Sequence, residues 1–275
     1  MGLEKIQHII KYIEEHYHQN ISIQKLEHIS NYSYRNVQRV FKAIFRESLG
    51  AFQKRLKLEN AYKKLIYTSD TITDISYAVG FDSLQSFSKA FKKQFKVSPI
   101  QARTEKLTVF ENFINNHSEE DRNINYELVF LKEMKVFYIG IQTKNYNGIE
   151  IESLWDKIDT VTGKDKETAY FGIIVDQPLI TNKLKCRYEA CIDKELPSKE
   201  FLSTHIFGGR YAKYIHKGSY GSIEDTYRQI YKDWLFNSIL EFDSSPIIEH
   251  YRRNNYNTEN MNDYITEILI PIKKK

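Results

Sequence analysis

The apolar positions of the chain change period once. Leu3, Ile6, Ile9, Ile10, Ile13 and Tyr17 recur at three- and four-residue intervals with polar residues between them, which predicts an amphipathic helix over 3–17. The helical period continues, with short breaks, from Ser22 to about Lys106. Two breaks carry helix-start signals. Thr71-Ile72-Thr73-Asp74 fits a capping box ahead of Ile75, and Ser98-Pro99 fits an N-cap followed by proline in the first turn. A linker is expected over 107–125, where 115–125 are polar and aperiodic.

Beyond the linker the period shortens to two. Segments 126–131, 135–144, 170–176 and 184–193 are rich in Val, Ile, Phe and Tyr and predict strands. Between them, 152–163 places Leu154, Ile158 and Val161 at helical spacing. The order then recurs: strand 210–217, helix 222–234, strands 246–253 and 264–272. This predicts an internal duplication of about 70 residues, each copy a strand–helix–strand–strand unit, with a cleft between the halves. The fold class expected is α+β in two domains: an all-α double helix-turn-helix domain over 1–106, then a duplicated α+β domain over 126–275.

The 275 residues are 41% hydrophobic and 14% aromatic, which excludes a wholly disordered chain. Net charge is only +4, but it is unevenly placed. Residues 1–106 hold 18 Lys+Arg against 10 Asp+Glu, while 107–275 hold 22 against 26. A basic front and a mildly acidic remainder point to different partners for the two parts. Cys186 and Cys191, on one strand, are too far apart to pair, so a reduced, cytoplasmic protein is expected. No apolar run is long enough to cross a membrane, and the N-terminus lacks signal-peptide regions.

In the basic part, Ser22–Ser30, a turn at Asn31-Tyr32 and Ser33–Phe45 have the layout of a helix-turn-helix. Val37, Val40, Phe41, Ile44 and Phe45 form the expected core stripe of the second helix. Arg35, Asn36, Gln38, Arg39 and Lys42 fall on its other face, and these side chains suit base edges or phosphates. A second unit follows as Thr73–Val79, a turn at Gly80 and Ser83–Phe95, with Phe87, Phe91 and Phe95 stacked inward. Residues 49–68 read as one connecting helix of about 30 Å, close to one turn of DNA.

The run Ile75-Ser76-Tyr77-Ala78-Val79-Gly80-Phe81-Asp82-Ser83, then Phe87 to Phe95, then Val97-Ser98-Pro99, resembles the signature of AraC/XylS transcription regulators. The resemblance covers about 5–105. Lys96 departs from it where glycine is usual, Ala102 where tyrosine is usual, and Glu27 where a small residue is usual. The resemblance implies base contacts by Arg35, Gln38 and Arg39 in the first unit and by Leu84, Gln85, Ser86 and Lys89 in the second. Lys42 and Lys92 fit phosphate contacts. Leu84 has two readings, a thymine-methyl contact or core filling. The implied partners are double-stranded promoter DNA and RNA polymerase.

In the acidic part, Gly209-Arg210-Tyr211-Ala212, His216-Lys217-Gly218-Ser219-Tyr220, Tyr227, Tyr231, Trp234-Leu235, Glu249-His250-Tyr251 and the ending Thr266 to Ile272 resemble a GyrI-like domain. The resemblance covers about 126–273, and the whole resembles the Rob type of AraC regulator. It implies an amphipathic or cationic small-molecule effector. Independently, Glu249 stands inside the apolar strand Pro246 to Tyr251, where a desolvated carboxylate is costly and a ligand cation would relieve it. Trp155, Tyr170, Tyr214, Tyr220 and Trp234 are the aromatic candidates for cation–π contact. Glu189 and Glu267 are further carboxylate candidates. Glu249 also fits a surface position or a salt bridge, and strand alternation alone leaves open which face lines the cleft.

No phosphate loop, zinc-protease pair or nucleophile elbow is present in the sequence, and the histidines and cysteines show no metal-ligand spacing. No cofactor and no enzymatic activity are expected. The competing reading is a hydrolase or scavenging ligand-binder, its DNA-binding part serving as a tether.

Overall fold

Capped helices begin the chain. Ser22 and Ser48 accept the backbone N–H three residues on, from Lys25 (3.3 Å) and Ala51 (3.2 Å), as serine does at an N-cap. Thr71 accepts from Asp74 N (3.1 Å) and donates to its carboxylate (2.6 Å). Ser98 and Gln101 cap one another: Gln101 N donates to Ser98 Oγ (3.2 Å) and Ser98 N to Gln101 Oε1 (3.0 Å). The computed structural model describes residues 3–106, 124–163, 165–177, 179–196, 201–236, 240–243 and 245–273. The expected linker therefore lies outside the described residues except for 124 and 125. The chain divides into two compact units, Met1–Thr104 and Glu105–Lys275.

The first unit contains α1 (Leu3–Glu15), α2 (Ile23–Ser30), α3 (Tyr34–Phe45), α4 (Leu49–Tyr67), α5 (Ile72–Ala78), α6 (Leu84–Phe95) and α7 (Pro99–Thr104). Ile6, Ile9, Ile13, Leu26, Val37, Phe41, Phe45 and Phe52 close one core around α1–α3 and the start of α4. The later part of α4 packs on α5, α6 and α7, with the Tyr62 ring against Phe91 (5.3 Å) and Phe95 (4.7 Å). Ile44, expected in the core stripe of α3, is instead 41% exposed. The stripe needs only Val37, Phe41 and Phe45, and Ile44 lies at its edge.

The second unit has β1 (Tyr126–Leu131), β2 (Met134–Thr143), α8 (Gly148–Thr162), β3 (Tyr170–Ile174), β4 (Cys186–Ile192), β5 (Leu202–Ile206), β6 (Gly209–Lys217), α9 (Ile223–Phe236), β7 (Ile247–Arg253) and β8 (Ile265–Pro271). Among the described residues, eight strands form one antiparallel sheet in the order β1-β6-β8-β7-β3-β4-β2-β5. The duplication is present, and each copy has a leading strand: β1, as predicted over 126–131, and β5, which the pattern did not predict. β5 escaped the periodicity because it is five residues long and carries Ser203, Thr204 and His205.

The leading strands are exchanged. β1 precedes β2 in the chain but pairs with β6, and β5 precedes β6 but pairs with β2. In a flat sheet β1 and β2 would stand six strand spacings apart, about 29 Å at 4.8 Å each. The chain joins Leu131 to Met134 in three Cα steps, at most about 11 Å. The sheet must therefore curl until its two ends approach. Gly208, between β5 and β6, marks that approach: a Cβ there would lie 2.9 Å from Glu133 N.

The two faces of the sheet differ. Val136, Tyr138, Phe171, Ile173, Cys191, Leu202, Tyr211, Ile248 and Leu269 pack together on one face. On the other, α8 lies over β2 and β4 and α9 over β6. The central strands β3 and β7 are thus left between the helices. Cys186 and Cys191 are both buried and not joined in a disulfide.

Candidate functional site

Two surfaces need a functional account. On α3, Arg35, Gln38, Arg39 and Lys42 are exposed and follow the i, i+3, i+4, i+7 spacing of one helix face. Arg39 Nη2 donates to Asn36 Oδ1 at 2.9 Å, which holds the guanidinium along the helix. On α6, Leu84, Gln85, Ser86, Lys89 and Lys92 are all exposed. Leu84 is 38% exposed, so it is not core filling. Ser86 Oγ donates to Ser83 O (2.9 Å) in the first turn of the helix.

The turns follow from local chemistry. Asn31 and Gly80 both take positive φ, 57° and 81°, which asparagine and glycine tolerate best. Ser30 Oγ, buried, donates to Leu26 O (2.8 Å) and accepts from Tyr32 N (3.2 Å). Glu27, out of place by the family pattern, has a visible role. Ser33 makes no side-chain cap, and the Glu27 carboxylate accepts the Tyr34 N–H at 2.7 Å instead. Arg103 is structural: it donates to the carbonyls of Leu65 (3.4 Å) and Asp70 (2.5 Å), at the end of α4 and just beyond.

The second site is centred on Glu249, 6% exposed, on β7. Its Cα partners are Gly172 on one side and Ile268 on the other, and Gly172 in turn faces Ala190. The row shows which face Glu249 occupies. It is the helix-covered face, shared with Tyr188, Tyr170 and Tyr251. Tyr227 of α9 donates to Oε1 at 2.8 Å, and Tyr251 donates to Oε2 at 2.6 Å. The Tyr251 and Tyr188 hydroxyls are 2.8 Å apart, and Trp155 Nε1 of α8 donates to Tyr188 at 3.1 Å. Each hydroxyl has one proton, so the donors run in one direction: Trp155 to Tyr188, Tyr188 to Tyr251, Tyr251 to Glu249.

Burial raises the Glu249 pKa above the usual carboxylate value, and the two tyrosine hydrogen bonds oppose that only in part. Burial and the facing carboxylate push the Tyr227 and Tyr251 phenols well above 10. These hydroxyls therefore stay protonated and remain donors. Gly172 makes the arrangement possible: a Cβ there would lie 2.5 Å from both the Tyr188 and the Tyr251 oxygens.

Further rings surround this centre. Tyr220, 39% exposed, packs on Tyr251 (5.3 Å) and Tyr264 (5.3 Å). Trp155 meets Tyr251 (5.5 Å) and Tyr170 (6.1 Å), and Tyr170 meets Tyr256 (4.5 Å). Of the predicted residues, the structure thus gathers Glu249, Trp155, Tyr170 and Tyr220. Tyr214 is on the same face but two strands away, behind Ile268, with its ring against Tyr126 (5.7 Å). Trp234 stacks on Phe242 (4.9 Å) and donates to Leu240 O (3.0 Å). Glu189 and Glu267 are on the opposite face, aligned with Ile173 and His250. Glu267 pairs with His250 (3.1 Å), which holds its pKa down. Tyr188, Tyr227, Tyr251 and Tyr256 were not among the candidates.

Fold and site together define a two-domain chain, with paired helix-turn-helix units ahead of a duplicated sheet domain. Residues 26–105 match a helix-turn-helix domain. Residues 124–273, more than half of the chain, match the GyrI-like small molecule binding domain, and the chain belongs to that family. Among relatives, an uncharacterized HTH-type transcriptional regulator of Staphylococcus aureus (strain MRSA252) is 31% identical over 193 residues, covering 68% of this chain and 24% of the relative. The chain thus spans about a quarter of the length of the curated relatives it first matches. The C-terminal domain of AraT, a response regulator from Geobacillus stearothermophilus, is 28% identical, with TM-score 0.35, over 37% of this chain and 84% of that one. The C-terminal domain of EcmrR is 15% identical, with TM-score 0.44, over 56% of this chain and all of that one. No helix among the described residues is long and apolar enough to cross a membrane.

Proposed function

We propose that the chain is a DNA-binding transcription regulator whose sheet domain senses an amphipathic cation. The observation that carries the sensing half is Glu249: a buried carboxylate between two helices whose hydrogen-bond partners are tyrosine hydroxyls and whose neighbours are aromatic rings. Such a site has negative charge, electron-rich faces and no cation of its own among the described contacts, and it suits a flat apolar cation. Ethidium titrated against tryptophan fluorescence tests it, since Trp155 is inside the site. Saturable quenching that weakens at least tenfold in Glu249→Gln is expected. Equal binding by the variant removes Glu249 from the site, and turnover of a bound compound would favour the hydrolytic reading.

The DNA-binding half is carried by Arg35, Gln38, Arg39 and Lys42 on α3 and by Leu84, Gln85, Ser86, Lys89 and Lys92 on α6, exposed on two helices of 12 residues that both end in a left-handed residue, Arg46 and Lys96. The partner is double-stranded promoter DNA, and RNA polymerase is the further partner that the regulator class implies. Affinity should fall steeply with salt as phosphate contacts release counterions. Arg39→Ala should relax base preference at one position, while Lys92→Ala should weaken all duplexes alike.

A further inference from the structure

The two helix-turn-helix units have separate cores that share one helix, α4. A helix alone is a compliant connection, because long helices bend. Here a second connection runs beside it. Gln53 and Lys57 lie one turn apart on one face of α4. Gln53 Nε2 donates to the carbonyls of Tyr17 (2.9 Å) and Gln19 (2.6 Å), in the loop between α1 and α2. Lys57 Nζ donates to the carbonyl of Gly80 (2.7 Å), in the turn between α5 and α6, and lies 5.9 Å from the Phe81 ring centre. The loop and the turn meet directly. A Cβ on Gly80 would lie 1.8 Å from the His18 carbonyl oxygen and 2.6 Å from its carbon, and Gly80 also has φ +81°. The loop belongs to the first reading unit and the turn to the second, so the contact joins them at a second point. Two attachments fix both the separation and the twist of α3 relative to α6, where α4 alone would leave bending free.

We infer that Gln53 and Lys57 are positioning residues that set the spacing and twist between the two recognition helices, so that the chain selects DNA by the separation of two half-sites as well as by their bases. The inference rests on the reading that both units engage one duplex. One inserted base pair shifts a half-site by about 3.4 Å and rotates it by about 35°. A rigid pair of units cannot follow both changes, whereas a pair joined by α4 alone can follow part of them.

The test uses the full chain and a duplex enriched by the wild-type protein from random 30-base-pair sequences. Versions of that duplex with one or two base pairs inserted or deleted between the half-sites are then bound by wild type, Lys57→Met, Gln53→Leu and the double variant. Wild type should lose tenfold or more in affinity for each single-pair change. The double variant should lose threefold or less, and Lys57→Arg, which keeps a donor for Gly80, should retain the wild-type profile. Thermal denaturation checks that each variant is folded, and the single variants carry the test if the double variant is not. A folded variant with the wild-type profile, or a wild type indifferent to spacing, overturns the positioning role. Failure to enrich any duplex overturns the DNA-binding reading itself, and is recognised by absence of affinity at every spacing.

Discussion

Gly172→Ala should damage the sheet domain more than any ordinary Gly-to-Ala change in a strand. The added Cβ would lie 2.5 Å from the Tyr188 and Tyr251 oxygens and 3.0 Å from Tyr188 Cε2. Both oxygens must retreat by about 0.8 Å to reach ordinary contact, about 3.3 Å. They have little freedom to do so, because Tyr188 is 1% exposed and the Tyr251 hydroxyl is bonded to Glu249 at 2.6 Å. Overpacking costs about 1–3 kcal/mol. Loss of a hydrogen bond to a charged carboxylate costs about 1.5–3 kcal/mol. Against these, alanine gains about 0.5–1 kcal/mol over glycine in strand propensity. The net expected loss is about 2–4 kcal/mol, read from chemical denaturation of the chain. A double-mutant cycle isolates the cause. In a Tyr188→Phe/Tyr251→Phe background the two oxygens are gone, and Gly172→Ala should then cost about 1 kcal/mol or less, leaving a coupling above about 1 kcal/mol. Equal losses in both backgrounds would refute the steric argument, since nothing but those oxygens approaches so closely.

Three further outcomes are expected. Lys96, with φ +67°, closes α6 in the left-handed region, so Lys96→Gly should stabilise the first unit by about 0.5–1 kcal/mol in thermal denaturation, and a loss would count against strain there. Glu27→Ala should destabilise it by about 1 kcal/mol, because the Tyr34 N–H then loses its only side-chain cap among the described bonds; an unchanged midpoint would show that water serves as well. The Glu249 pKa is raised on folding, so its contribution to stability is fully present below the unfolded value near 4.5 and is lost as pH rises through the folded value. A bound cation favours the ionised form, so ethidium affinity should instead fall as pH drops through that raised value; a flat profile, or the same profile in Glu249→Gln, would remove the linkage.

The helical unit was legible almost throughout, because its caps and its three- and four-residue spacing are local. Thr71, Ser98 and Gly80 do in the structure what their sequence contexts announce. The clamp was not legible, since Gln53 and Lys57 are ordinary polar positions until the loop at 17–19 and the turn at 80 arrive beside them. In the sheet domain the difficulty was parity between strands. Glu189, Glu249 and Glu267 have the same signature, a carboxylate among apolar residues. Alternation places each on a face of its own strand, but only the register Ala190–Gly172–Glu249–Ile268 shows that Glu249 alone of the three points under the helices. Tyr188 was missed for the same reason: one strand, β3, lies between its strand and that of Glu249, and Gly172 on β3 lets its hydroxyl come within reach of Tyr251.

The site is placed where the duplication is broken. β3 and β7 occupy corresponding places in the two copies and pair with each other at the centre of the sheet, with Gly172 opposite Glu249. Two glutamates at this midline would bring two like charges within a strand spacing, and repulsion would hold at least one proton there. Two glycines would leave a hole without charge. One of each gives a single carboxylate and the volume into which Tyr188 and Tyr251 extend their hydroxyls. The donors then come from both copies: Trp155 and Tyr188 from the first, Tyr227 and Tyr251 from the second. A shift of α8 against α9 therefore acts on the bond from Trp155 to Tyr188 or on the bond from Tyr227 to Glu249. On the proposed reading, a cation beside Glu249 would compete with those same donors, so its binding energy would differ between arrangements of the two copies, which is the property a sensing domain requires.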